Sequence, residues 1–275
     1  MSDCLNEATI QFYAAAPVAD LSRLSARERM ESIRLITKAM FNEAAKRVEN
    51  KEQPQHIPHP HDFPDECKAL TNLSLSISHS PHFTRMIMNA ADRTVMDMVE
   101  DADMMHALKN WGTRTEQRRK YTLRQVVRHF VSACRAATDI PYAVPLVDFS
   151  RTEPDGDRSV ICGQYSHIDA DTPADNGLID LNTHRAAGFH KAYKACRTAL
   201  HEAVHAIDDQ TGEIGARNPR LTRDYDYDAR LARMHKQHCV IIPHILDEPY
   251  RAQSHERLAY DADARFGQKL RAALA

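Results

Sequence analysis

The run TALHEAVHAIDDQTGEIG, Thr198 to Gly215, contains His201, Glu202 and His205 in the pattern H-E-x-x-H. On an α-helix, residues four apart are neighbours on one face, so His201 and His205 can offer two imidazoles to a single ion. Neutral imidazoles hold Zn²⁺ at about 2.0–2.1 Å and leave a coordination position open. Glu202, one step round the helix, can reach a water on the same metal. The metal lowers the pKa of that water, and a carboxylate takes its proton as the oxygen attacks a carbonyl. The chemistry these residue types specify is metal-assisted hydrolysis.

A chain with 16 histidines produces such spacings by coincidence, so the pattern needs context. Apolar residues surround it: Ala199, Leu200, Ala203, Val204, Ala206 and Ile207. A strand-like segment, GLIDLN (177–182), precedes the helix, and Gly212 offers it a stop. A third ligand has to come from elsewhere. The glycine and third histidine of a metzincin are absent, because Asp208 and Thr211 hold those places. Glu256, in SHERLAYDADARF, is the leading candidate, since Glu256, Ala259 and Tyr260 share one face of a terminal helix with small and apolar company. Asp209, Glu248, Asp263, His238 and His244 remain as competing ligands.

The elements that must position these residues fall into two parts. Ser25 and Glu28 form a capping box at the start of a helix running to about Asn50, with Ile33, Ile36, Met40, Phe41, Ala44 and Val48 at helical spacing. That helix stops at KEQPQHIPHPHDFP, whose four prolines within eleven residues forbid helix. Helical patterning returns over 82–111, and TRTEQRRK separates it from a helix that Thr122 caps. The period then changes: AVPLVDF (143–149), SVICGQYSH (159–167) and GLIDLN read as short strands. Pro145 makes the first an edge strand or an irregular start. A long helix over about 188–210, an ill-defined region (216–245) and a terminal helix over about 254–273 complete the chain.

The fold class expected is therefore α+β and mainly helical. A helical region of unassigned role (1–115) precedes a domain over 116–275 with a small mixed sheet, an active-site helix and a third-ligand helix. Only 8 glycines in 275 residues argue against a large all-β fold. A formal net charge of -2 gives no reason to expect nucleic acid or an anionic membrane as partner. The 6 cysteines form no C-x-x-C pair and no disulfide framework. No secretory signal and no membrane-spanning run is visible, so the cytoplasm is the default compartment, with export as an effector left open.

HEAVHAIDDQTG, a following Tyr250 and the Glu256–Ala259 E-x-x-A resemble the gluzincin metallopeptidases, in particular the anthrax lethal factor-type catalytic domain and the minigluzincins. The resemblance covers roughly residue 122 to the C-terminus. It implies a zincin-like fold with His201, His205 and Glu256 as Zn²⁺ ligands and Glu202 as general base, then acid. Tyr250 would be an oxyanion donor, standing within a residue of the family tyrosine's register. Asp208 or Asp209 would support a ligand histidine through its other ring nitrogen. GLIDLN would be an edge strand, near Gly177–Asn182, that takes a protein or peptide substrate by strand addition. The function implied is a zinc-dependent metalloendopeptidase, with a metal-binding sensor or interaction module as the alternative. Other conspicuous clusters read more simply: HIPHPH as a stiff linker with exposed imidazoles, MHKQHC as ordinary helix positions, the Met-rich 86–105 segment as core, and the basic 114–124 stretch as a solvated face.

Overall fold

A computed structural model describes residues 6–49, 58–154, 161–166, 176–237 and 246–275. In chain order the helices are α1 (Glu7–Ala15), α2 (Val18–Leu21), α3 (Ala26–Glu49), α4 (Pro64–Ser76), α5 (Pro81–Glu100), α6 (Ala102–Lys109) and α7 (Glu116–Ala137). Strands β1 (Leu146–Ser150), β2 (Gly163–Ser166) and β3 (Leu178–Asn182) follow. Then come α8 (Ala192–Arg217), α9 (Asp226–Gln237), α10 (Asp247–Ala252) and α11 (Ser254–Leu274). The fold is mainly helical with one small mixed sheet, as the change of period in the sequence implies. Among the described residues no helix is long and apolar enough to cross a membrane. Of the residues singled out above, His56, His238, Cys239 and His244 lie outside the described ones.

The chain forms two compact units: residues 1–79 with 230–257, and residues 80–229 with 258–275. The second division falls inside α11, which is one continuous helix. In the first unit α3 starts as its capping box requires. Ser25 N–H donates to Glu28 Oε2 at 2.8 Å, and Glu28 N–H donates to Ser25 Oγ at 3.2 Å. That pairing holds the Glu28 carboxyl below its ordinary range. Leu21, Met30, Ile33, Ile36, Met40, Leu70, Leu73 and Ile77 form the core of this unit. Two arginines finish α4: Arg29 donates to the Ser76 carbonyl and Arg257 to the Ile77 carbonyl, where a helix leaves acceptors unpaired and favours positive charge.

The second unit packs α5, α7, α8 and the sheet around Phe83, Ile87, Phe130, Val131, Leu200, Val204 and Phe266. The strand order is β1-β3-β2, with β1 parallel and β2 antiparallel to β3. GLIDLN, expected at an edge, is thus the central strand. Its alternate residues Ile179 and Leu181 are buried, as a strand paired on both sides over a helix requires. Pro145 immediately precedes β1, so its missing N–H removes nothing from the ladder.

Three other boundaries differ from the sequence reading. Thr115, not Thr122, caps α7, its Oγ1 accepting from Arg118 N–H at 3.4 Å, and the basic stretch becomes the exposed first turns of that helix. The 82–111 segment breaks at Asp101, whose carboxylate accepts from Met104 N–H at 3.0 Å and starts α6. Finally, α8 runs through Gly212 and Gly215 to Arg217. Each interior glycine costs about 1 kcal/mol of helix propensity, which tertiary contacts of this last stretch offset.

Those contacts join α8 to the segment entering β1. Gln210 bridges Ala143 from both sides: Ala143 N–H donates to Oε1 at 2.7 Å, and Nε2 donates to the Ala143 carbonyl at 2.9 Å. Tyr142 is fully buried and its hydroxyl meets Thr211 Oγ1 at 3.0 Å. Burial pushes that phenol up, and the Thr211 contact opposes the shift. Replacing Gln210 with Ala strands a backbone donor and a backbone acceptor, so Q210A is expected to lose about 2–3 kcal/mol in urea unfolding with an unchanged m-value.

Candidate metal centre

His201 and His205 occupy successive turns on one face of α8, and Glu256 the first turn of α11. One ligand atom from each of the three residues lies within 4.8 Å of the others. The two imidazole Nε2 atoms are 3.2 Å apart, with the rings at 78° to one another. Two nitrogens about 2.05 Å from one tetrahedral ion stand about 3.3 Å apart. The histidine pair therefore matches the bite of a single metal. His201 and Glu256 are buried, at 9% and 4% exposure, and a carboxylate in such surroundings calls for positive charge. His255 Nε2 stands 3.7 Å from Glu256 Oε1 and can supply part of it when protonated. Two imidazoles and a carboxylate are a borderline donor set that suits Zn²⁺.

The second ring nitrogen of His201 faces α11. Its Nδ1 lies 3.4 Å from Asp263 Oδ2, and its ring meets the Tyr260 ring edge-on with centroids 4.7 Å apart. A carboxylate beside Nδ1 favours the tautomer with the proton there, which leaves the Nε2 lone pair for a metal. Asp263, which the sequence offered as a competing ligand, thus sits on the far side of the imidazole in a supporting place. Of Asp208 and Asp209, the pair expected to support a ligand histidine, Asp209 accepts from the Tyr165 hydroxyl at 2.8 Å. Asp208 is buried on α8.

Glu202 is buried and directed toward the sheet. A Cβ placed on Gly163, the first residue of β2, would stand 3.0 Å from both Glu202 Cγ and Oε1, and 2.8 Å from Thr198 Cγ2. Only glycine lets the β2 backbone come this close to the carboxylate. Cys162 precedes it, and its thiol is pushed up by desolvation, an effect Lys194 opposes and the Glu202 carboxylate reinforces. Tyr250 lies on α10, where its ring packs against the core of the first unit. Tyr260, one helical turn beyond Glu256, lays its ring against His201 of the cluster. The sequence had placed it on the right face without giving it a role.

No family model, curated protein or solved structure matches the chain.

A site of this kind links metal binding to folding. Free Zn²⁺ at 100 times its Kd is expected to stabilise the protein by about 2.7 kcal/mol, read as a rise in melting temperature. The rise should vanish in H201A and H205A.

Proposed function

We propose that the protein is a zinc-dependent metallopeptidase of the gluzincin type. The observation that carries this reading is the convergence of His201, His205 and Glu256, with the two Nε2 atoms 3.2 Å apart and Glu202 on the next position of the same helix. A Zn²⁺ held by these three residues would polarise the scissile carbonyl and acidify the attacking water. With that ion bound, Glu202 would serve as the base for the attacking water and then as the acid for the leaving amine. Its place against β2 sets where the reacting carbonyl lies. Asp263 keeps His201 in one tautomer and orientation.

The peptide is bound along β2, at the edge of the sheet, rather than along Gly177–Asn182, which is central. Backbone groups on the outer side of β2 pair with an extended substrate. The missing side chain at Gly163 lets the β2 backbone lie against Glu202, so a chain paired along β2 would run beside that carboxylate. Of the two tyrosines, Tyr260 is better supported than Tyr250 as the hydroxyl that steadies charge on the reacting oxygen.

Three variants test the assignment against a peptide library. E202Q should keep stoichiometric zinc and lose hydrolysis by a factor of about 10²–10⁴, the usual scale of general acid–base catalysis. Full activity in E202Q sinks the peptidase reading, and stoichiometric zinc without turnover in the wild type leaves a metal-binding module. Y260F should lower kcat by about 10-fold or more with little change in KM, whereas Y250F should not; the reverse result returns the role to Tyr250.

A further inference from the structure

The face of α8 that carries His201 and His205 also carries Arg197, one turn earlier, and Tyr193, one turn before that. The facing side of α11 carries Tyr260, Asp263, Gly267 and Arg271 in the opposite chain direction. Contacts join them rung by rung. His201 touches Tyr260 and Asp263. Arg197 Nη2 donates to Asp263 Oδ1 at 2.6 Å. The Arg271 guanidinium lies 4.7 Å from the centre of the Tyr193 ring. Asp263 therefore uses one oxygen on Arg197 and the other on His201.

The place of Arg197 depends on a missing side chain. A Cβ on Gly267 would stand 2.8 Å from Arg197 Cγ, closer still to Cδ, and 3.1 Å from Nε. The stem of the arginine lies in the notch left on α11 by that glycine. Glycine inside a helix is unfavourable relative to alanine, so its presence here needs a local reason. The notch supplies one. Without it the guanidinium could not lie across α11 and reach Asp263 from the side opposite His201.

We propose that Arg197, seated on Gly267, is a positioning residue for the metal centre. It fixes the Asp263 carboxylate so that Oδ2 faces His201 Nδ1, and thereby sets the tautomer and ring orientation of the first ligand. This inference rests on the metal-site reading, but its first consequence is visible without metal. An unanchored Asp263 can rotate toward solvent, and His201 then loses the preference for a proton on Nδ1.

The test is nitrogen-15 NMR of histidine-labelled, metal-free protein at pH 8, followed by competition between the protein and a chromophoric chelator for Zn²⁺. Wild-type His201 should show the Nδ1–H tautomer. R197M and G267A should both shift it toward a mixture and weaken zinc binding by about 10- to 100-fold, the usual effect of removing a partner behind a ligand. R197K, which keeps the charge but not the planar fork, should fall between them and the wild type. G267A separates positioning from simple support: alanine favours the helix, so the melting temperature should hold or rise while the alignment is lost. If R197M and G267A fold and leave both the tautomer and zinc affinity unchanged, the proposal is overturned. If the tautomer shifts but wild-type protein binds no Zn²⁺, the relay stands and the metallopeptidase reading fails.

Discussion

The candidate site depends on two helices meeting through side chains of opposite character at intervals of one turn. On α8 the sequence places Tyr193, Arg197, His201 and His205 four residues apart. On α11 it places Glu256, Tyr260, Asp263, Gly267 and Arg271 at steps of three or four. Beside this polar ladder lies an apolar one: Cys196, Ala199, Leu200 and Ala203 on α8, and Leu258, Ala259, Ala262, Phe266 and Leu270 on α11, all in the core of the second unit. The apolar stripe supplies non-directional burial. The polar stripe supplies register, because a slip of one turn would set Arg197 against Tyr260 and take Asp263 away from His201. On another side of α11, Arg265 holds Asp92 of α5 with two bonds of 2.8 and 2.6 Å, and Lys269 adds a third contact at 2.8 Å. The hydrogen bond from Arg265 leads the effects that hold the Asp92 carboxyl below its ordinary range.

The histidine pair was legible in the sequence because its geometry is local: four residues on a helix fix the relation of two side chains without reference to the rest of the chain. The helices were legible for the same reason, the capping box at Ser25 and Glu28 above all. Topology was not. Nothing in GLIDLN says whether it is flanked by one strand or two, since a buried central strand and a half-buried edge strand of five residues have nearly the same composition. Asp263 and Arg197 were missed as partners because their relation is set by the helix pairing, and either alone is an ordinary charge on an amphipathic helix. Tyr250 drew attention through its distance in sequence from Glu256. The break between α10 and α11 at Gln253 places the two residues on different helices, so helical spacing alone does not fix the relation between them.

The sheet is small, yet its order matters to the chemistry. With β3 in the centre, β2 becomes the strand beside Glu202, and its antiparallel direction is what one edge of a mixed sheet can offer to an incoming chain. The contact at Gly163 joins strand and helix at the residue that the proposed mechanism uses as base. Residues 142, 143, 210 and 211 anchor the far end of α8 to the approach to β1. The helix is thus tied to the sheet at Glu202 and again two turns later, which fixes its rotation as well as its distance.

Glycine usage gives an independent reason to regard this region as built for something other than stability. The chain has only 8 glycines, and besides Gly212 and Gly215 within α8, Gly163 in β2 and Gly267 in α11 stand in regular elements where glycine is locally unfavourable. Neither Gly163 nor Gly267 has a positive φ that would explain it. At each, a β-carbon would crowd side chains of α8: Thr198 and Glu202 at Gly163, Arg197 at Gly267. A sequence selected for secondary structure alone would carry alanine in α11 and a β-branched residue in β2. Local propensity yields to the placement of charged side chains at the two points where backbone must make room for them. Such conflict between levels is expected where a fold holds reactive groups rather than where it only packs.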